Sequence, residues 1–270
     1  MSKSLPREFG LVIVGDEILS GKRADKHMPK AIELLAARGL QLAWAEYVGD
    51  SPERITATLK RAFEGGGVVF SCGGIGATPD DHTRQCAARA LEVELALHPQ
   101  AEALIRERMQ DIAREQGTPY EPDRPDNIHR LNMGVFPVGA RIIPNPYSKI
   151  AGFSVGDVHF VPGFPVMAWP MIEWVLDQHY PHLFRQRAYV EKSVIVFGAM
   201  EAALTPLMET IEREHPGVKV FSLPSVDHPQ YGRHIDLGVK GDPVAVEPAY
   251  RALRQGLEIH GVKLGPELVR

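Results

Sequence analysis

Cysteine is scarce in this chain: Cys72 and Cys86 are the only two among 270 residues. That excludes a disulfide scaffold and predicts reduced, partly buried thiols in a cytoplasmic protein. No run of about 18 apolar residues occurs, so no membrane span is expected. The first ten residues also lack the apolar stretch of a secretory signal. Positive charge is not in excess. Lys and Arg number 30 against 34 Asp and Glu, a formal net charge of −4 that argues against a nucleic-acid partner held by bulk charge. The histidines His27, His82, His129, His228 and His234 are scattered, with no close metal-binding spacing such as H-x-x-x-H among them. They therefore read as surface or structural residues. Neither a P-loop nor the G-x-G-x-x-G dinucleotide fingerprint is present, which argues against ordinary ATP hydrolysis and nicotinamide use. No internal repeat or low-complexity segment was found.

What the chain does have is 44% hydrophobic residues in an ordered pattern. Leu11 to Val14 reads as a strand ending at a polar Gly15-Asp16-Glu17 turn. Helical spacing follows from Asp25 to Arg38, with Met28, Ile32 and Leu35 on one face. Leu40 to Val48 is a second strand. Asp50-Ser51-Pro52-Glu53 opens a helix that Gly65-Gly66-Gly67 stops, Val68 to Ser71 is a third strand, and Pro79 to Leu91 a third helix. This β-α-β-α-β-α order predicts an α/β fold, a mostly parallel sheet with helices on both faces. Beyond it come a helix from Pro99 to Gln116, a loop from Gly117 to Asn127, short strands over Phe136–Ile143, Phe153–Val155 and Val158–Val161, and an apolar helix from Val166 to Gln178. Proline and charge between His179 and Arg187 predict a boundary, with domains at 1–182 and 183–270. The second reads as a smaller α+β module: strand Tyr189–Phe197, helix Glu201–Glu214, strands Val218–Leu223 and His234–Lys240, and helix Val244–Ile259.

The chemistry concentrates in Gly73-Gly74-Ile75-Gly76-Ala77-Thr78-Pro79-Asp80-Asp81-His82-Thr83. A glycine-rich turn from strand to helix lets backbone N–H groups face an anion, and a helix start adds partial positive charge. Thr78 offers a hydroxyl for capping or for a phosphate oxygen, and Thr83 caps or packs. Asp80 and Asp81 suit acid/base or metal chemistry, and equally suit the first turn of a helix. In a parallel sheet the ends of the first three strands share one edge, so Asp16, Glu17, Asp50, Asp80 and Asp81 are expected to converge. Such a cluster favours a divalent cation or a shared proton. A small phosphorylated ligand at the carboxyl end of the sheet is the resulting expectation.

The pieces Gly15-Asp16-Glu17-Ile18-Leu19-x-Gly21, Val48-Gly49-Asp50 and Gly73-Gly74-Ile75-Gly76-x-Thr78-x-Asp80-Asp81-x-Thr83 resemble the molybdopterin-binding (MoaB/Mog-like) fold. The likeness is greatest to the N-terminal part of the competence/damage-inducible protein A family and covers roughly residues 8 to 178. Phe136-Pro137-x-Gly139-Ala140, Asn145, Gly152-Phe153 and Pro162-Gly163-x-Pro165 follow in the same order. The later module, with Gly198-x-x-Glu201-x-x-Leu204, is similar to that family's small middle domain. The chain stops before the C-terminal amidohydrolase domain, so no nicotinamide-mononucleotide deamidase activity is expected.

The resemblance implies a three-layer α/β domain that binds molybdopterin, or a related pterin-phosphate or nucleotide, through Gly15, Asp16, Glu17, Gly73, Gly74, Gly76, Thr78, Asp80, Thr83 and Asn145. It places Asp50 and Asp81 at positions of catalysis and of a metal, magnesium or another divalent cation. It also implies a homo-oligomer, dimer or trimer, and a link to molybdenum cofactor metabolism. Two readings stand at this stage: a binding module, and a metal-dependent pyrophosphatase or nucleotidyl transferase acting on ADP-ribose-like substrates. Departures from the family pattern fall on loops expected around the ligand. Ala77 replaces a usual proline and Met167 a usual glutamate. Asp25-Lys26-His27, Ser148, Ile150 and Ala151 differ as well.

Overall fold

The computed structural model describes residues 7–186 and 190–270. Residues 1–6 and Tyr189, which was expected to open a strand, lie outside them. The chain divides between Phe184 and Arg185 into two compact units.

The first unit runs β1 (Phe9–Val14), α1 (Asp16–Leu19), α2 (His27–Ala36), β2 (Leu42–Val48), α3 (Pro52–Glu64), β3 (Val68–Cys72), α4 (Thr83–Leu91), β4 (Leu95–Leu97), α5 (Pro99–Gln116), α6 (Pro125–Leu131), β5 (Val135–Pro137), β6 (Arg141–Ile143), β7 (Gly152–Val155), β8 (Val158–Val161) and α7 (Pro165–His179). Six strands form one sheet in the order β2-β1-β3-β8-β7-β6. The pairs β1–β2, β1–β3 and β3–β8 are parallel, and β7 runs against both its neighbours. Alternation along β1 builds the layers. Phe9, Leu11 and Ile13 join the core under α2 and α7, while Val12 and Val14 join the one under α3 and α4. Each fully buried Leu, Ile or Val contributes about 1.5–3 kcal/mol of transfer free energy, so the face assignment fixes the register. The fold is the expected three-layer α/β arrangement.

The second unit runs β9 (Val190–Phe197), α8 (Glu201–Glu214), β10 (Lys219–His228), β11 (Gly232–Gly241), α9 (Pro243–Ile259) and β12 (Lys263–Val269). Its antiparallel sheet has the order β10-β11-β9-β12. Val194, Val196, Leu237 and Val239 pack with Leu204, Ile211 and Leu253 of the two helices, all on one face of the sheet.

Several local expectations change. Strand β12 completes the second unit as βαββαβ. Gly265-Pro266 breaks its alternation, and its register to β9 shifts between Leu264 and Glu267. The segment expected as one strand over Phe136–Ile143 is two. β5 pairs with β4 in a separate two-stranded sheet, and β6 joins the main one. Helix α6 starts inside the expected loop, at Pro125. Helix α4 begins at Thr83 and not at Pro79.

Candidate functional site

The turn after β3 is built by two left-handed glycines. Gly73 has φ 104 and Gly74 φ 69, a region that side chains rarely enter. The Gly73 amide donates to Val161 O at 3.0 Å, so it belongs to the sheet and not to a ligand. Thr83, fully buried, clamps the turn from the other side. Its hydroxyl donates to Gly73 O at 3.1 Å, and its amide donates to Gly74 O at 3.0 Å. A Cβ on Gly74 would lie 2.2 Å from the Thr83 hydroxyl oxygen. Among the described residues the amides of Gly74, Ile75 and Gly76 find no protein acceptor. These three are the donors open to an anion.

The later start of α4 has a physical cause. Asp81 Oδ2 accepts from the Thr78 amide at 2.8 Å and from the Thr78 hydroxyl at 2.5 Å. A short acidic side chain that captures a nearby backbone N–H offers the chain a turn in place of a helix. Residues Thr78 to Asp81 therefore form a loop, and the first-turn, helix-dipole role expected for Asp80 and Asp81 does not apply. Asp80 is exposed, and hydrogen bonding from Thr78 lowers its pKa.

Beneath this loop lies Arg84, which sequence reasoning missed. It is 4% exposed. Its guanidinium donates from Nη2 to Gly76 O at 2.6 Å and from Nη1 to Asn132 O, while Nε is buried without a partner. No carboxylate forms an ion pair with it among the described residues. Burial lowers its pKa, with the Asp81 charge acting the other way. An arginine on a helix containing Ala87 and Ala88 gives no sequence signal of burial.

The first two strand exits meet as a reciprocal pair. The Asp16 amide donates to Asp50 Oδ2 at 3.0 Å, and the Asp50 amide donates to Asp16 Oδ1 at 3.1 Å. A Cβ on Gly49 would lie 2.4 Å from Asp16 Oδ1, so only glycine lets this pair form. Burial raises the Asp50 pKa, and the charges of Asp16, Glu17 and Asp80 raise it further, against the Asp16 amide. Asp16, Glu17 and Asp80 thus act on the Asp50 carboxyl at this edge. Asp81, however, is turned into its own loop. Among the described residues no group of three or more His, Cys, Asp or Glu is arranged to hold a metal ion. Gly15 donates to Val48 O at 3.0 Å and continues the β1–β2 pairing, and Glu17 folds back over it. An open cleft of about 670 Å³ extends from Asp16 and Asp50 along the β2 edge to Arg54 and Arg61.

Asn145 is buried and saturated within its own loop. It donates to Ser148 Oγ at 2.9 Å and to Ile150 O at 3.0 Å, and accepts from the Tyr147 amide at 3.0 Å. Its side chain shapes residues 145–150 and has no donor to spare. The departures from the family pattern also touch one another. Ser148 Oγ donates to Met167 Sδ at 3.9 Å. His27 Nε2 donates to Gly163 O at 3.0 Å, and the Gly163 turn lies against Gly73. Asp25 caps α2 by accepting from the His27 and Met28 amides and also takes the Tyr47 hydroxyl at 2.8 Å. Burial and that carboxylate push Tyr47 up to about 12.

Three comparisons bear on this geometry. The family described as a probable molybdopterin binding domain matches residues 10–183. A protein of Caldivirga maquilingensis is 27% identical over 213 residues, 77% of each chain. A CinA-like protein of Geobacter metallireducens is 30% identical over 215 residues, 78% of this chain and 50% of that one. The chain thus spans about half the length of the CinA-like relative. Among solved structures, the protein CinA of unknown function from Thermoplasma acidophilum superposes with a TM-score of 0.53 at 25% identity, over 63% of this chain and 98% of that one.

Proposed function

Because this chain belongs to the molybdopterin-binding domain family, we propose that its first unit binds a molybdopterin-type ligand by the phosphate at the β3–α4 turn. One observation carries this reading. Arg84 is a buried cation with no carboxylate partner among the described residues, hydrogen-bonded to the Gly76 carbonyl of the turn whose amides are open. An unpaired buried charge is destabilising, and an anion seated over the turn relieves it. The amides of Gly74, Ile75 and Gly76 supply fixed donors, which cost no reorganisation when the ligand arrives. The carboxylates of Asp16 and Asp50 lie along the same edge and offer acceptors to the N–H groups of a pterin ring.

A divalent cation bridging Asp50 and Asp81 does not fit these residues as they stand. Asp50 is tied to Asp16, and Asp81 to Thr78. No arrangement of these two carboxylates supports pyrophosphate cleavage through such a cation.

The test is calorimetric titration with molybdopterin. Wild-type protein is expected to bind saturably, and Gly74→Asp to lose binding, because a carboxylate would then occupy the turn. Arg84→Met is expected to weaken it on the order of 10- to 100-fold, the range for losing charge-assisted stabilisation of a phosphate. Equal affinity in wild type and both variants would overturn the assignment.

A further inference from the structure

Strand β2 is the outer strand of the six-stranded sheet, and its free edge is bare. Val48 O accepts from the Gly15 amide at 3.0 Å. Hydrogen-bonding direction alternates along a strand, so Trp44, Glu46 and Val48 bond inward to β1. The amides and carbonyls of Ala43, Ala45 and Tyr47 point the other way, and among the described residues they meet no partner. All three residues are exposed. Natural edge strands are commonly blunted by lysine or proline, and β2 carries neither across its 7 residues. Its one charge is drawn inward. Glu46 accepts from Arg61 at 2.7 Å and from the Thr58 hydroxyl at 2.7 Å. The Trp44 ring lies over Gly10 of β1, where an added Cβ would come within 2.2 Å of it, and so leaves the edge clear.

Apolar groups flank this edge on both sides of the sheet. On the α2 side the Tyr47 hydroxyl donates to Met28 Sδ at 3.7 Å, and Ile32, one turn further along the same flank, is 46% exposed. On the α3 side Leu19, 57% exposed, lines the cleft that runs along β2. The charges in that cleft are of both signs, Arg54 and Arg61 with Asp16, Glu46 and Asp50. A uniformly charged partner such as a nucleic acid is not matched by this mixture. A partner carrying the same mixture is.

We infer that β2 pairs antiparallel with β2 of a second copy of this chain, about a two-fold axis at Ala45. The open positions are symmetric about that residue. Ala43 meets the partner's Tyr47, Ala45 meets the partner's Ala45, and Tyr47 meets the partner's Ala43. Each open amide and carbonyl of the three then finds an acceptor or donor, in an isologous contact that closes on itself. Residues directly opposite share a face, so each tyrosine ring falls beside a methyl group and two methyl groups meet at the axis. The size also suits a copy. Seven strand residues span about 23 Å, and helix, sheet and helix are together about 30 Å deep, which offers roughly 700 Å² per partner against the ~800 Å² of a standard interface. A lone peptide strand would occupy the edge but leave Ile32 and Leu19 in water. A second copy brings three layers to meet them.

The experiment is sedimentation velocity of the full chain over a range of concentrations, with amide exchange followed in parallel. A monomer–dimer equilibrium is expected, and the amides of Ala43, Ala45 and Tyr47 should become protected as the dimer forms. Ala45→Lys sets like charges against each other at the axis and should raise the dimer dissociation constant about 100-fold. Ala45→Pro removes an open amide without touching a bond to β1, and should act in the same direction. Ile32→Ser should weaken the dimer about 10-fold. Ala45→Cys should yield a covalent dimer on mild oxidation, since Cys72 and Cys86 are buried and do not compete. Thermal melting confirms that each variant is folded. The inference is overturned by a chain that stays monomeric at every concentration, even one that captures an extended peptide at this edge. It is equally overturned by a dimer that ignores both Ala45→Lys and Ala45→Pro, or by an Ala45→Cys dimer that oxidation does not link.

Discussion

At the amino edge of the first sheet, polar side chains form a closed chain of hydrogen bonds. Ser154 Oγ meets His159 Nδ1 at 2.8 Å, His159 Nε2 meets the Tyr180 hydroxyl at 2.7 Å, and that hydroxyl donates to Asp157 Oδ1 at 2.7 Å. Arg7 closes the chain on Asp157 Oδ2. At the carboxyl edge, three glycine-turn amides and the Arg84 Nε have no protein partner among the described residues. Both edges lie on the same strands. Where polar groups saturate one another they hold the fold and have nothing left for a ligand; where they stay open, stability is sacrificed for recognition. Substitutions at the first edge should therefore change stability without changing binding, and those that distort the turn at the second should change binding as well.

The largest expected effect is at the closed edge. Burial depresses the His159 pKa to about 3, with His179 adding to it. Between pH 6.5 and about 3 the unfolded histidine takes a proton that the folded one refuses. Stability is complete above this window and falls as pH drops through it, by up to about 1.4 kcal/mol per pH unit. Urea midpoints measured across the window should show the slope, and His159→Leu should flatten it. A slope unchanged in that variant would place the titration elsewhere.

Next comes Gly74→Ala at the open edge. Its methyl would collide with Thr83 in a left-handed backbone, costing about 1–3 kcal/mol of strain. Molybdopterin affinity, read by calorimetry, should fall about 100-fold as the turn rotates. Affinity preserved alongside lost stability would erase the contrast between the edges.

Tyr180→Phe leaves His159 Nε2 and Asp157 Oδ1 each short of a partner. A loss of about 1–3 kcal/mol in urea denaturation is expected, with ligand affinity unchanged. The smallest effect is Thr78→Val, which removes one of the two bonds to Asp81. A stability decrease of about 0.5–1.5 kcal/mol and a binding change under tenfold would show that Asp81 serves its loop first.

The layers of the first unit were legible because β1 alternates between two cores and Ser51-Pro52 and Gly65 punctuate α3. The glycine turn was legible from composition alone. Its supports were not. Arg84 reads as a surface helix residue until the fold folds Asn132 and Gly76 around it. Asp81 reads as a helix-end charge because its bond to Thr78 depends on a backbone path that residue spacing does not encode. Asn145 reads as a ligand contact until its loop is seen to consume it. In the second unit, β12 was hidden by Gly265-Pro266.

The Thr83 clamp carries one more consequence. A turn bolted to the first residue of a buried helix cannot reshape around an incoming molecule without unwinding that helix. On the binding mode proposed above, the free protein already populates the competent geometry, so no affinity is lost to a rare conformer. Complex formation should accordingly proceed in one kinetic phase whose rate climbs linearly with ligand concentration, governed by encounter rather than by loop rearrangement.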